Sequence, residues 1–233
     1  MLTMQVIPGV YQLAFRHANV FLIGEDSLTL IDTGFPGHVK GIIDLIRVLG
    51  RSPEEIKLII LTHNHFDHTG GLAALRKLTT AKVAAPKIDF TLEKDVFPYP
   101  GGKSLGKLMK APVLSSIRNR LVLSAKNADV LLNGGEMLPV LGGLQVIPTP
   151  GHTSGSISLY ASQKKLLFVA DAINKRHGLR LPLKTGTTDI SQAIASIEKM
   201  TKLDVETICF GHGRPITEDA NGRLARLLEK VRN

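Results

Sequence analysis

The sequence predicts an α/β protein in which two β-sheets pack face to face with helices on the outside. Strand-like and helix-like runs alternate along the 233 residues, and a block of strands followed by a helix occurs in each half. Hydrophobic residues make up 43% and charged residues 21% of the chain, which is typical of a globular protein. We therefore expect a single domain spanning residues 1–233, with a helical insertion at about residues 88–126.

The first half opens with three short strand-like runs, at residues 10–15, 18–23 and 28–32. A helix is expected next, because apolar residues recur at helical spacing from Val39 to Leu49 and Gly50 follows them. The other elements predicted for this half are a strand at 56–61, a helix from Gly70, a strand at 81–86 and the insertion at 88–126, which is mostly helical and is broken at "FPYPGG".

The second half begins with four strand-like runs separated by turn residues, at 128–132, 144–149, 156–161 and 165–171. A helix at 189–200 is expected to begin after a cap at Thr188 or Asp189. A last strand at 205–210 and a terminal helix at 219–231 complete this half, so each half supplies one sheet and its covering helices.

Histidines and aspartates follow the ends of several of these strands. The stretch "LTHNHFDHTGG", residues 61–71, comes directly after one apolar run, while His152, Asp171 and His212 each follow another. Strand ends in one sheet meet at one edge, so we expect these distant residues to lie together.

Three of these histidines fit one metal site. In an extended segment His63 and His65 point to the same side, and His152 would add a third nitrogen. Three protein ligands leave a coordination position open, which is typical of a catalytic metal site.

The remaining members of the cluster fit a second ion. The chain turns into a helix after His65, so Asp67 and His68 project differently, and His212 would supply a further nitrogen. Asp171 would bridge the two ions, and a bridging hydroxide would act as the nucleophile because bound cations lower the pKa of water to about 7. Zinc is the first candidate, with iron or manganese as alternatives, since histidine and carboxylate ligands suit all three.

The other histidines and the single cysteine need no ligand role. His17, His38 and His177 stand apart from the cluster and are expected to be ordinary surface or core residues. Cys209 lies in an apolar run before "GHG" and is expected in the core, and a single cysteine excludes an internal disulfide.

The segments "THNHFDH", "PGHTSGS", "ADA" and "FGHG", with "LIDTG" upstream, together resemble the metallo-β-lactamase-fold hydrolases, most closely their glyoxalase II-like branch. The resemblance runs from about Val10 to Pro215 and implies a four-layer αβ/βα sandwich. It also implies the two ligand sets given above, with Asp171 between them. Asp32 matches an aspartate of these hydrolases that orients the metal ligands without binding the metal itself. A turn-forming role before Thr33 fits the sequence equally.

This resemblance implies an enzyme that attacks an ester, thioester or lactone bond, with Asp67 and Asp171 as catalytic carboxylates. Dedicated zinc β-lactamases carry cysteine or serine where this chain has Asp171, which argues against a penicillin as the main substrate. Two alternatives remain: a mononuclear iron persulfide dioxygenase-like oxidoreductase and, less favoured, a phosphodiesterase or nuclease.

The charge and apolar pattern bear on partners and location. The net charge of +9 allows the small-molecule substrate to be anionic, and nucleic acid is a less favoured partner. No apolar run reaches the roughly 18–20 residues of a membrane span, and no secretory leader is evident at the start, so we expect a cytoplasmic protein without a membrane partner. The insertion is expected to cover the metal edge and to line the pocket. Two roles stay open for its apolar side chains, contact with the substrate or packing in the core, and these side chains are Phe90, Phe97, Tyr99 and Met109.

Overall fold

The computed structural model describes residues 2–91, 125–176 and 178–232, and within them the strands form two sheets. The seven-stranded sheet has, in spatial order, β1 (Leu2–Ile7), β2 (Val10–Ala14), β3 (Asn19–Gly24), β4 (Leu28–Ile31), β5 (Ile56–Ile60), β6 (Lys82–Pro86) and β7 (Val130–Leu132). The five-stranded sheet has β8 (Met137–Leu138), β9 (Leu144–Pro148), β10 (Ile157–Ala161), β11 (Leu166–Ala170) and β12 (Thr207–Phe210).

Helices lie between and beyond these strands. They are α1 (Val39–Val48), α2 (Phe66–Thr69), α3 (Leu72–Leu75), α4 (Lys87–Thr91), α5 (Ile190–Met200) and α6 (Ala220–Arg232). Short 3₁₀ turns occupy Pro36–His38, Pro53–Glu55, Ala125–Asn127, Ser162–Lys164 and Lys184–Gly186. Asp189 caps α5 by accepting a hydrogen bond from the Gln192 amide, at 3.0 Å. None of the helices described here is both long and apolar enough to cross a membrane.

Alternation along the strands separates three buried layers of side chains. Phe21 and Phe168 point into the layer between the sheets, where their rings meet edge to face at 5.1 Å. Leu22 faces the opposite way, toward α1, and Leu167 faces α5 and α6. Because side chains alternate between the two faces of a strand, each sheet is covered on both faces. The predicted four-layer αβ/βα sandwich is confirmed.

Strand direction places several strand ends at one edge. β4 and β5 are parallel to each other in the first sheet, and β11 and β12 are parallel in the second. β9 runs in the same direction as β11, because both are antiparallel to β10. The carboxyl ends of β4, β5, β9, β11 and β12 carry the clustered histidines and aspartates.

The structure corrects the assignment of the strand predicted at 128–132. This strand, β7, does not join the second sheet but pairs parallel with β6 at the edge of the first. Asp129 helps to fix it there, since its carboxylate accepts hydrogen bonds from the Val83 amide at 2.8 Å and from Arg76 at 3.0 Å. The pairing is nonlocal, so strand propensity alone does not reveal it.

Two strands were missing from the prediction. β1 is an edge strand whose residues are exposed or only partly buried, so it lacks the buried alternation that marks a strand in sequence. β8 has two residues, too few for any periodicity. Most of the predicted insertion, including Phe97, Tyr99 and Met109, lies outside the described residues, and the single-domain organisation stays a prediction.

Candidate metal centre

The first group of converging side chains consists of His63, His65 and His152. His63 and His65 follow β5, and His152 follows β9 in the other sheet. Their ligand atoms lie within 4.8 Å of one another, an arrangement that could hold a metal ion. His152 Nε2 lies 2.9 Å from His65 Nδ1, and the rings of His63 and His152 are 4.9 Å apart.

The second group consists of Asp67, His68 and His212, whose ligand atoms also lie within 4.8 Å of one another. Asp67 and His68 lie in the short helix α2, and His212 follows β12. Asp67 Oδ2 is 3.8 Å from His68 Nε2 and 3.7 Å from His212 Nε2. The Asp67 side chain is 28% exposed, so this side of the cluster opens toward solvent.

Asp171 lies between the two groups, at the end of β11. Its Oδ2 is 3.5 Å from His152 Nε2 in the first group and 3.0 Å from His212 Nε2 in the second. Its Oδ1 is 3.4 Å from His68 Nε2. One carboxylate therefore faces both groups.

Several atoms of this cluster are buried without a hydrogen-bond partner among the described residues. They are the Nε2 atoms of His63, His65 and His68 and the Oδ1 atom of Asp171. Buried polar atoms without partners are costly, and in native proteins they call for an explanation such as an ion. Imidazole nitrogens and carboxylate oxygens are ligands of divalent transition metals, so the residues present fit such an ion.

The protonation of the cluster also suits a cation. Burial lowers the pKa of His65 to about 4 and that of His152 to about 3, so both imidazoles are neutral at pH 7 and offer a lone pair. Burial would also lower the pKa of His68, but the Asp171 carboxylate and its acidic neighbours outweigh burial and raise it to about 10. Without an ion, the carboxylates therefore attract a proton to His68.

Asp32 orients the ligand atom of His68. Asp32 is 3% exposed, and its Oδ2 lies 2.8 Å from His68 Nδ1. The same carboxylate accepts hydrogen bonds from the amide of Thr62 at 2.9 Å and from its hydroxyl at 2.8 Å. A hydrogen bond at Nδ1 leaves Nε2 to face the site, so the supporting role expected for Asp32 has a structural basis.

Comparison with known proteins identifies the family. A family model described as metallo-beta-lactamase superfamily matches residues 13–212. The chain belongs to the metallo-beta-lactamase superfamily. The resemblance seen in the sequence and the prediction of a hydrolase of this superfamily are confirmed at that level.

Three similar proteins illustrate the range of this superfamily. The uncharacterized protein YobT of Bacillus subtilis is 30% identical over 239 residues, covering 96% of each chain. A hydroxyacylglutathione hydrolase of Albidiferax ferrireducens is 27% identical over 90% of this chain and 66% of its own length. The crystal structure of a metallo-beta-lactamase family protein from Thermus thermophilus has a TM-score of 0.73 at 23% identity, over 98% of this chain and 81% of that one.

In this metallo-beta-lactamase superfamily chain, the loop that carries His212 is held by the opposite sheet. Asn19 is 2% exposed, and its side-chain amide donates to the carbonyls of Phe210 at 2.8 Å and Gly213 at 2.7 Å. Gln12 donates to the same Gly213 carbonyl at 2.9 Å. Sequence reasoning missed both residues, because a single amide within an apolar strand has no distinguishing pattern.

Gly211 provides the space that Asp171 occupies. A Cβ atom built at Gly211 would lie 1.9 Å from Asp171 Oδ1 and 3.0 Å from His68 Cε1. No side chain fits at this position while Asp171 and His68 keep their places. Gly211, in the "FGHG" segment, thus contributes to the site because its lack of a side chain leaves space for Asp171 and His68.

The residues expected to be ordinary are found outside the cluster. His38 stacks on Phe15 with ring centroids 3.9 Å apart, and the His17 ring meets Phe35 edge to face at 5.7 Å. His177 lies outside the described residues. Of the two roles left open for Phe90, the structure shows core packing, because Phe90 belongs to the apolar cluster that also contains the buried face of α1.

Cys209 is fully buried between the sheets, as expected. Burial raises the pKa of its thiol, and the thiolate is the reactive form. We expect no reaction of the folded protein with a thiol reagent such as DTNB at pH 8, and one thiol per chain after unfolding in guanidinium chloride. Rapid reaction of the folded protein would contradict this burial.

Proposed function

We propose that this protein is a binuclear metal-dependent hydrolase that cleaves an ester, thioester or lactone bond. The observation that carries the proposal is the convergence of unpartnered buried nitrogen and oxygen atoms from both sheets on one edge. The likeness to a hydroxyacylglutathione hydrolase supports an acyl substrate. Zinc is the ion that we expect first, because the ligand atoms are imidazole nitrogens and carboxylate oxygens.

In this proposal His63, His65 and His152 would hold one ion. Asp67, His68 and His212 would hold the other, and Asp171 would contribute to both. When bound, two divalent ions would lower the pKa of a water molecule and polarise the carbonyl group that is attacked. Asp32 keeps Nε2 of His68 directed at the site by its contact with Nδ1.

Asp67 is the residue that we assign to proton transfer. It is the most exposed carboxylate of the cluster, with its side chain 28% exposed compared with 13% for Asp171. A carboxylate on the open side can reach the leaving group of a bound substrate, and a proton passed to that group aids its departure.

Two measurements on one preparation test the proposal. Elemental analysis of protein purified without added metal is expected to find two divalent ions per chain. Lactones, thioesters and phosphodiesters are then assayed in parallel, together with a persulfide under oxygen monitoring. Cleavage of an acyl substrate supports the proposal. One iron per chain with oxygen consumption would favour the dioxygenase, and phosphodiester cleavage alone would favour a nuclease.

We further propose that the substrate is anionic and is recognised by Arg176. Arg176 is exposed, and its Nη2 donates to the carbonyl of His17 at 3.2 Å and lies 3.5 Å from His212 Nδ1. The guanidinium is thereby held beside the second ligand group. Arg16, His17 and Arg214 add basic side chains in adjacent segments, and a guanidinium suits a carboxylate or phosphate group.

Arg176→Gln is expected to lower kcat/KM for a carboxylate-bearing ester about fivefold. The substitution removes an exposed ion pair between the guanidinium and the substrate carboxylate, and such a pair contributes about 1 kcal/mol. The neutral ester with the same leaving group should be cleaved as well as before. Arg223→Gln serves as the control, because Arg223 is also exposed and bonded to a carbonyl, that of Glu218, but lies in α6. Equal losses on both esters would rule out charge recognition by Arg176.

A further inference from the structure

Asp89 joins the two loops that carry the first histidine group. It lies in α4 and is 4% exposed. Its Oδ2 accepts hydrogen bonds from the amide of Asn64 at 3.1 Å and from the hydroxyl of Thr153 at 2.6 Å. Its Oδ1 accepts one from the amide of Gly155 at 2.6 Å.

These partners are the immediate neighbours of the histidines. Asn64 stands between His63 and His65 in the chain, and Thr153 follows His152. A single carboxylate therefore fixes the backbone on both sides of the first group, across the gap between the sheets. The two sheets also meet directly beside these loops, because the Ile157 amide at the start of β10 donates to the Thr62 carbonyl at 3.0 Å.

The fit around this carboxylate is close. A Cβ atom built at Gly155 would lie 2.5 Å from the Asp89 amide nitrogen and 2.6 Å from its Oδ1. A methyl group at position 155 would therefore displace Asp89 without changing its charge. This gives a second, independent way to disturb the contact.

The second group, Asp67, His68 and His212, is held in place by hydrogen bonds from other residues. His68 is oriented by Asp32, and the loop of His212 is held by Asn19 and Gln12. The hydrogen bonds described for Asp89 join it to Asn64, Thr153 and Gly155, beside the first group. The two groups are thus held by different side chains.

We propose that Asp89 is a positioning residue that sets the distance between His152 and the pair His63 and His65, and so tunes the affinity of the first group for its metal ion. The inference rests on the proposed binuclear site and is independent of the substrate. A carboxylate is required because three donors converge on it, and an amide would turn an N–H group toward at least one of them. Loss of a hydrogen bond that orients metal ligands weakens metal binding by about 10–100-fold.

The test is a competition titration of the metal-loaded protein with a chromophoric chelator, which resolves the two ions by affinity. We expect Asp89→Asn and Gly155→Ala each to weaken one ion by about 10–100-fold and to leave the other unchanged. Circular dichroism at the titration temperature should show a folded protein in both cases. Asp129→Asn makes the same chemical change in a carboxylate that accepts bonds from Val83 and Arg76 and should alter neither ion.

Asn19→Ala is the counterpart for the second group and should weaken the ion that the Asp89 variant leaves unchanged. Retention of both ions at unchanged affinity in the two Asp89-directed variants would overturn the inference, as would equal weakening of both ions. If the wild-type protein itself bound fewer than two ions, the proposed function would fail first and this inference with it, so the two failures are distinguishable.

Discussion

Asp171→Ala is expected to lower kcat/KM for any substrate of this protein by about 10³-fold, which corresponds to about 4 kcal/mol of transition-state stabilisation. The reason is that its carboxylate faces both ligand groups, with Oδ2 3.5 Å from His152 Nε2 and 3.0 Å from His212 Nε2. Steady-state kinetics with the best substrate of the panel, combined with metal analysis of the same sample, measures the effect.

The same variant should keep its fold. Asp171 follows β11 at the edge of the sheet and is not among the apolar residues that fill the three buried layers, so its truncation leaves the core packing in place. Asp171→Asn serves as the matched variant, since it keeps the shape and one oxygen and should retain more metal than Asp171→Ala. Turnover at the wild-type rate in Asp171→Ala would exclude a role between the two ions.

Phe168→Ala is expected to destabilise the protein by about 3–5 kcal/mol, because the ring is 1% exposed and fills the layer between the sheets. It also loses its edge-to-face contact with Phe21, whose ring centroid is 5.1 Å away. For a protein of this size the change corresponds to a fall in Tm of about 6–20 °C, which differential scanning calorimetry measures.

Val48→Ala is the control for this core substitution. Val48 is 82% exposed on α1, and surface substitutions usually change stability by less than about 0.5 kcal/mol. A fall in Tm of similar size in Phe168→Ala and Val48→Ala would show that the layer between the sheets does not dominate the stability of the fold.

The candidate site could be predicted from the sequence because four of its residues lie close together in the chain. His63, His65, Asp67 and His68 fall within six residues, and such a cluster after a buried strand has few structural explanations. His152 and His212 each follow another apolar strand, and the rule that strand ends meet at one edge linked them to the first cluster. The structure brings these side chains together.

The residues that hold the site loops in place by hydrogen bonds could not be predicted in the same way. Asp89 and Asn19 are single polar residues whose hydrogen-bond partners are more than 20 residues away in sequence, and no spacing rule describes such contacts. The placement of β7 failed for a related reason. Strand propensity and alternation report on a segment and its own faces, whereas the choice of sheet depends on which neighbour is free to pair.

Gly211 and Gly155 each leave room for a carboxylate, Asp171 and Asp89 respectively. A metal ligand can be exchanged for another donor with partial retention of binding, but only glycine lacks a β-carbon. In a saturation-mutagenesis screen these two positions should consequently tolerate fewer substitutions than some of the proposed metal ligands, even though neither glycine has a functional group of its own.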